Sequence, residues 1–496
     1  MYVLLGIGLL AAIWLVWLLY GARAKQITGV PVADGFIPYF GHTFQTAKLF
    51  MDNKKWLLWN LEQSLKAKTH YTISSLNKPP MLRILTAEAA KHILEDNFDN
   101  YVKIDSPGVK LYGVEFFGDG IFQADGEEWR FHRKAASYMF STNVLRSMVD
   151  VFNEHGETMV GVLEKYAGNE NPVDMQDIFQ RFTMDSICRI AFGVHFDSLH
   201  LPQGTKPAFS QAFDYIQTCI NLRFIKPFTI FKLDRQFQIS KTERDLTECA
   251  RVLDQTILDV LESRKQELQD ERAGSKWQDL LSQFVKMARD RNETLDTRFI
   301  RDVVMNFIIA GRDTTACLLS WTLFELDKRP DIYEKVISEI GNVLKGNPPN
   351  YDNVKELTYT ENVLLEILRL HPPVPMDAKR CISDDKLPDG TLVPKGTMVS
   401  YSPWLFGRLP WLWDEPEEFR PERWEGERHS DYKFITFNAG PRLCLGKRMA
   451  LVEAKVVLCI LLTRFRFRIS PGQTDETAVS IIHWLKHGLK MTINTI

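Results

Sequence analysis

Hydrophobic and polar positions are distributed unevenly along this chain. Nineteen residues from Tyr2 to Tyr20 are apolar apart from their tyrosine hydroxyls, and Arg23 and Lys25 follow at once. A run of that length spans the hydrocarbon of a bilayer. It meets poorly the positive leader, shorter core and small-residue cleavage site of a secretory signal, so it predicts an uncleaved anchor whose basic flank leaves the rest of the chain cytosolic. Further on the spacing is mostly helical. From about Phe299 to Leu326 it becomes a long apolar stretch with no proline and one glycine, which predicts a buried helix. Two short β-rich segments interrupt the helical pattern. Tyr71 to Leu85, broken by Pro79-Pro80, reads as a hairpin, and Leu387-Pro-Asp389-Gly390-Thr-Leu sets an Asp-Gly turn between short strands. Pro31, Pro38 and Gly41 stiffen the connection after the anchor.

Composition sharpens the picture in a few places. At 496 residues, a count of about 150 residues per domain predicts three domains. No low-complexity linker, repeat or charge block divides residues 50–496, however, and 45% hydrophobic content with 31 phenylalanines is enough for one large core. A formal net charge of −2 gives no reason to expect nucleic acid. Seven cysteines, an odd number without paired spacing, suit a reducing compartment, where the Asn292-Glu-Thr294 sequon goes unused. Gly6-Ile-Gly8-Leu-Leu-Ala11 spells a dinucleotide fingerprint, but it lies in the anchor with no strand before it and is set aside.

The chemistry concentrates near the C-terminus, in Phe437-Asn-Ala-Gly440-Pro-Arg442-Leu-Cys444-Leu-Gly446. Two glycines flanking a cysteine let backbone pass close to a flat ligand and let amide N–H groups point at the sulfur. Arg442 is placed to pair bidentately with a propionate. A thiolate on haem iron favours O–O cleavage. The bland alternative, a glycine turn holding a small buried cysteine, explains Cys444 alone but not the whole frame.

Ala310-Gly311-Arg312-Asp313-Thr314-Thr315 lies inside the long apolar stretch. A glycine there costs about 1 kcal/mol, and a threonine bonding back to the carbonyl one turn before loosens the helix further. An acid followed by an alcohol is what proton delivery to dioxygen requires. Glu366 and Arg369 share a helix face at i, i+3, and Pro372-Pro373 stops that helix. Trp129 and Arg133 lie one turn apart. Arg130, Arg133, Lys134, Lys447 and Arg448 form a basic group near these elements, suited to steering an acidic partner.

Taken together, these segments resemble the cytochrome P-450 haem-thiolate monooxygenases. The cysteine frame matches Phe-x-x-Gly-x-Arg-x-Cys-x-Gly at every specified position, and the other segments follow in the family's order. The resemblance implies a mainly α fold with small β-sheets: an anchor over residues 1–22, a linker over 23–48 and one large haem domain over 49–496. It makes Cys444 the axial ligand of haem b, with Phe437, Gly440, Arg442 and Gly446 around it. Trp129, Arg133 and Lys379 become propionate contacts. Thr314 would hydrogen-bond the activated dioxygen and Asp313 would relay protons. Glu366, Arg369 and Arg423, the last from Phe419-Arg420-Pro421-Glu422-Arg423-Trp424, become a buried charge triad. The co-substrates would be O2 and NADPH-derived electrons, delivered by a flavoprotein reductase at the basic group, and the location the endoplasmic reticulum membrane.

Finer details resemble the plant, fungal and protist branch that hydroxylates fatty acids at or near the methyl end. These are Arg312, the run Val374-Pro-Met-Asp377-Ala-Lys379, Gly407-Arg408 before Trp411 and Trp413, and Phe437-Asn-Ala-Gly. By family position the lipid would be lined by Leu111, Phe116, Phe117, Ile309, Ala310, Val374, Met376 and Ile482. The alternatives are a monooxygenase of sterols, terpenoids or aromatics, a reductase-independent lipid hydroperoxide lyase or isomerase, and a haem sensor or electron carrier. The Asp313-Thr314 pair argues against the last two.

Overall fold

A computed structural model describes residues 24–103, 110, 112–169, 171–202, 204–269, 279–290, 297–426 and 428–496. The anchor, Leu111 and the sequon lie outside the described residues. The helices that build the site are α1 (Gly126–Ser137), α2 (Thr142–Leu163), α3 (Met175–Phe192), α4 (Ala208–Ile225), α5 (Phe228–Phe237), α6 (Lys241–Gln269), α7 (Thr297–Asp327), α8 (Thr358–Leu370) and α9 (Lys447–Leu462).

Helix boundaries follow local chemistry. In α3 the Asp174 carboxylate accepts from the N–H groups of Gln176 and Asp177 at the start, and Gly193 takes φ +67° at the end. In α8 the Glu339 carboxylate, brought from another helix, accepts from the N–H groups of Tyr359 and Thr360, both at 2.7 Å. Helix α2 buries Leu145, Met148, Val149, Phe152, Met159, Val160 and Leu163, a single helical stripe. Gly156 continues that stripe: a Cβ there would come within 2.4 Å of Ile460, so glycine lets α2 press against α9.

The long apolar stretch is a helix as predicted. Its most apolar 18-residue window is 83% buried inside the protein, so α7 is the core helix and not a membrane span. Around it lies the larger of two hydrophobic clusters, which takes in α2, α3, α4, α7, α8 and α9.

The smaller cluster packs on a five-stranded sheet ordered β1 (His70–Ile73), β2 (Met81–Ile84), β8 (Met398–Tyr401), β5 (Asp377–Cys381) and β3 (Tyr101–Val102). The predicted hairpin is β1–β2, with His70 opposite Ile84. The Asp-Gly turn joins β6 (Asp385–Lys386) to β7 (Leu392–Val393), with Gly390 at φ +93°. A third sheet orders β4 (Val173–Asp174), β10 (Lys490–Thr495) and β9 (Phe465–Ile469). Residues before β1 pack along it: Val32 bridges Thr72, and buried His42 bonds to the Ala33 and Ser74 carbonyls.

Candidate active site

The cysteine loop enters α9 from a tight turn. Gly440 has φ +61°, and an added Cβ would lie 2.2 Å from the Leu94 carbonyl, so no other residue fits. The Cys444 N–H donates to the Phe437 carbonyl at 2.8 Å, closing the loop on itself. Burial pushes the Cys444 thiol up, while the N–H groups of Gly446 and Lys447 and the Arg133 guanidinium work to lower it. Those donors are what a thiolate needs. Cys444 as a residue nevertheless keeps accessible surface.

Charged groups converge beside it. Arg442 donates to the Ala124 carbonyl at 2.7 Å and to Asp125 at 2.6 Å, and its guanidinium lies 4.7 Å from the centre of the Trp129 ring. Arg133 donates to the Leu443 carbonyl at 2.5 Å, tying α1 to the cysteine loop. Lys379, on β5, is fully buried, and among the described residues no acceptor reaches its ammonium. Burial, then Lys103 and Arg442, drive it well below the usual lysine range. A buried cation without an acceptor is costly in the absence of an anion. A haem fits this set: a sulfur ligand presented by amide donors, with an orphaned ammonium and a guanidinium placed for propionates.

Behind the loop, Glu366, Arg369 and Arg423 meet in one ion-pair cluster. Glu366 accepts from Arg369 at 2.8 Å and from Arg423 at 2.9 Å, and Glu366 and Arg369 are wholly buried. Burial works to raise the Glu366 carboxyl, but the Arg369 hydrogen bonds lead the groups that hold it below its ordinary value. Sequence reading missed five members of this network. The Trp424 indole N–H donates to Glu366 at 2.9 Å, as does the Arg420 backbone N–H, and Arg369 donates to the Gly407, Pro416 and Glu418 carbonyls. Gly407 has no room for a side chain, since a Cβ would sit 2.1 Å from the Arg369 carbonyl. Trp424 stood in the quoted segment, but only the fold could show its partner.

On α7, residues Ile309–Asp313 form a π turn. The predicted weakness is real: Thr314 donates to the Ala310 carbonyl at 2.6 Å. Gly311 has a packing reason as well, since a Cβ would lie 2.6 Å from Ile187 of α3. Arg312 and Asp313 are buried, not an exposed surface pair. Arg312 bridges Asp313 at 2.8 Å and Asp214 at 2.9 Å, and Gln217 of α4 donates to Asp313 at 2.6 Å. Burial is the main reason the Asp313 carboxyl is pushed up to about 6, against the opposing pull of Arg312. Glu453, on α9, is also buried, and burial pushes it up to about 8 against a hydrogen bond with Thr315. Neither Gln217 nor Glu453 carried a sequence signal.

The predicted lipid-lining residues scatter in burial. Phe116, Ile309 and Ile482 are buried, Phe117, Ala310 and Met376 are half-buried, and Val374 is 40% exposed. Phe116 stacks edge-on to Phe117 and to Phe213 of α4. Within the basic group, Arg130, Lys134 and Arg448 are exposed, while Lys447 pairs with Asp431 at 3.0 Å.

Against known proteins, the sequence profile of the family described as cytochrome P450 matches residues 31–489. Cytochrome P450 94A2 of Vicia sativa is 34% identical over 480 residues, covering 91% of this chain and 90% of that protein. Cytochrome P450 86B1 of Arabidopsis thaliana is 34% identical over 423 residues, covering 81% of this chain and 75% of that protein. Cytochrome P450 704B1, also of Arabidopsis thaliana, is 33% identical over 448 residues, covering 82% and 84%.

Proposed function

The chain belongs to the cytochrome P450 family, and we propose that within it this protein is a membrane-bound monooxygenase that hydroxylates a long-chain fatty acid at or near its methyl end. The observation that carries the monooxygenase reading is the coexistence of a presented, amide-bonded Cys444 with the Asp313–Thr314 pair on a π turn. A carrier or sensor needs the first and not the second. The lipid reading rests on the branch-specific residues, chiefly Arg312 and the run from Val374 to Lys379, and accords with similarity to cytochromes P450 86B1, 94A2 and 704B1 over most of the chain.

Haem b, bound through Cys444, supplies the oxidising chemistry, using O2 and two electrons that originate from NADPH. The chain's own residues do the rest. Amide N–H groups of Gly446 and Lys447 steady the thiolate. Lys379 and Arg442, with Trp129 and Arg133, receive the propionates. Asp313, with a carboxyl near 6, holds a proton that it can surrender near neutral pH, and Thr314 passes it on. Phe116, Phe117, Ile309, Ala310, Val374, Met376, Ile482 and Leu111 keep water from the reacting carbon. Arg130, Lys134 and Arg448 steer an acidic flavoprotein reductase toward the cysteine side.

Residues 1–22 anchor the domain, with 23–48 as the connection and 49–496 as the catalytic body, on the cytosolic face of the endoplasmic reticulum. Exposed Ile37, Phe40, Phe44, Phe224, Ile230 and Phe237 support a membrane-resting face. The Asn77–Thr229 hydrogen bond joins the β1–β2 hairpin to the segment carrying the last three.

The test is turnover of purified protein with a reductase, NADPH and a panel of saturated and unsaturated fatty acids, with products located by mass spectrometry. Terminal or near-terminal hydroxy acids are expected. Absence of any fatty-acid product from a preparation with an intact thiolate signature in its reduced carbon monoxide spectrum overturns the substrate assignment.

A further inference from the structure

Asp313 does not face Thr314 in this structure, because both its oxygens are engaged elsewhere. Oδ1 accepts from Arg312 at 2.8 Å and Oδ2 from the Gln217 side-chain amide at 2.6 Å, and Asp313 and Gln217 are both buried. While the acid is charged, the orientation of that amide is fixed chemically. A carboxylate only accepts, so the Gln217 nitrogen must face Asp313, and its carbonyl accepts from the Ser480 hydroxyl at 3.2 Å. Thr314, for its part, spends its proton on the Ala310 carbonyl.

On the other side, Arg312 leads outward. It pairs with Asp214, whose side chain is 29% exposed and bonds to Lys206 at 3.1 Å. A small cleft of mixed character, whose lining includes Asp177, Gln180, Met184, Lys206, Ser210 and Arg312, lies between α3 and α4 at this point. Thr183 of α3 fixes the turn there by donating to the Arg312 carbonyl at 2.7 Å. The acid is therefore linked toward the surface through buried Arg312 and partly exposed Asp214, and it touches helix α4 through Gln217. The same helix, through Phe213, packs on Phe116 and under the Arg312 guanidinium.

We infer that Gln217 is a positioning residue for proton delivery: it holds Asp313 turned away from Thr314, and Asp313 must leave it before a proton reaches the reacting side. The inference rests on the monooxygenase reading of the Asp313–Thr314 pair. Of the two contacts on Asp313, the one to Arg312 is between opposite charges, so the neutral amide contact is the one that yields first. An amide also suits both states of the acid, since a half-turn of Gln217 offers its carbonyl to a protonated carboxyl. The charged and titratable groups facing Asp313 are Arg312 and Asp214, with the Cys317 thiol beside it on α7, and Asp177 acts on Arg312 in turn.

Two readouts test this on the full-length, haem-loaded protein. The first is a pH titration of the Asp313 carboxyl band by infrared difference spectroscopy, assigned by its loss in Asp313→Asn. Gln217→Met, near in volume but without the amide, removes a donor to the charged carboxylate and should move the midpoint up by about one pH unit. Gln217→Glu, which sets a second carboxyl against the first, should move it further. The second readout is the pH profile of hydrogen peroxide released per NADPH consumed with a reductase and no lipid, which should move with the midpoint. A midpoint within 0.2 units or so of wild type in both variants overturns the inference, whatever the protein does with fatty acids. A shift of both readouts in a protein that hydroxylates no fatty acid upholds the inference and removes the substrate assignment alone. Should Gln217→Met fail to hold haem, the Gln217→Glu midpoint decides.

Discussion

The Thr314 hydroxyl donates to the carbonyl of Ala310, one turn back on α7, at 2.6 Å. That bond leaves the hydroxyl at the π turn with its lone pairs free to accept, and a small rotation re-aims its proton. Thr314→Ala removes the alcohol while the surrounding helix keeps its backbone bonds. The variant should retain its haem spectrum, while product per NADPH falls about tenfold or more and hydrogen peroxide rises to balance it. Full coupled turnover in Thr314→Ala would remove this residue from the relay.

Arg369, itself wholly buried, makes two bonds to Glu366 and three to backbone carbonyls. Removing it breaks the buried pair and leaves Arg423 as the one charged partner of Glu366 among the described residues, at a cost of up to about 3 to 5 kcal/mol. Arg369→Ala should therefore lose haem during purification and melt well below wild type. A variant that kept haem but altered only the product pattern would contradict the structural role.

Lys379 is a buried ammonium with no acceptor among the described residues. Lys379→Met should raise the melting temperature of the haem-free chain, because a buried polar group without an acceptor is gone. In the loaded protein the same change should speed haem loss by about ten- to a hundredfold, the worth of a hydrogen bond to a charged group. Transfer of haem to a scavenging apoprotein measures the rate. An unchanged rate would remove Lys379 from the cofactor contacts.

Glu453 lies between α9 and α7 with its carboxyl pushed from 4.5 to about 8 by burial. The folded protein keeps this proton in a range where the unfolded chain has released it. Stability from this group is thus complete below about pH 4.5 and declines as pH rises toward 8, by about 1.4 kcal/mol for each unit crossed. Glu453→Gln removes that dependence. Its melting temperature should match wild type near pH 5 and exceed it increasingly toward pH 8, and parallel curves across that range would refute the assignment.

Legibility in the sequence followed the range of the forces. The cysteine loop, the hairpin, the Asp-Gly turn and the core helix were readable because each is fixed by neighbours within a few positions, such as Gly440 at φ +61° or Thr314 four residues after Ala310. The Glu366–Arg369 pair was local too, whereas Arg423 needed the resemblance to be assigned. What stayed hidden were partners meeting across long stretches of chain. Gln217 reaches Asp313 over 96 positions and Asp125 reaches Arg442 over 317, and neither glutamine nor aspartate announces such a contact in its own surroundings. Gly311 was legible as a helix fault but not as the gap that Ile187 requires.

The fastening of the cysteine loop has a consequence for the order in which the protein matures. Arg442 is held by Ala124 and Asp125, and Leu443 by Arg133, across more than 300 positions in each case. Closing loops of that length is an entropic cost met late, after the local helices have formed. A chain emerging from the ribosome therefore has no closed socket until residues 442–443 have docked on residues 124–133, and a polypeptide truncated before Cys444 lacks the sulfur that the loop presents. Cofactor uptake becomes a proofreading step: only a molecule whose two ends have found each other is coloured.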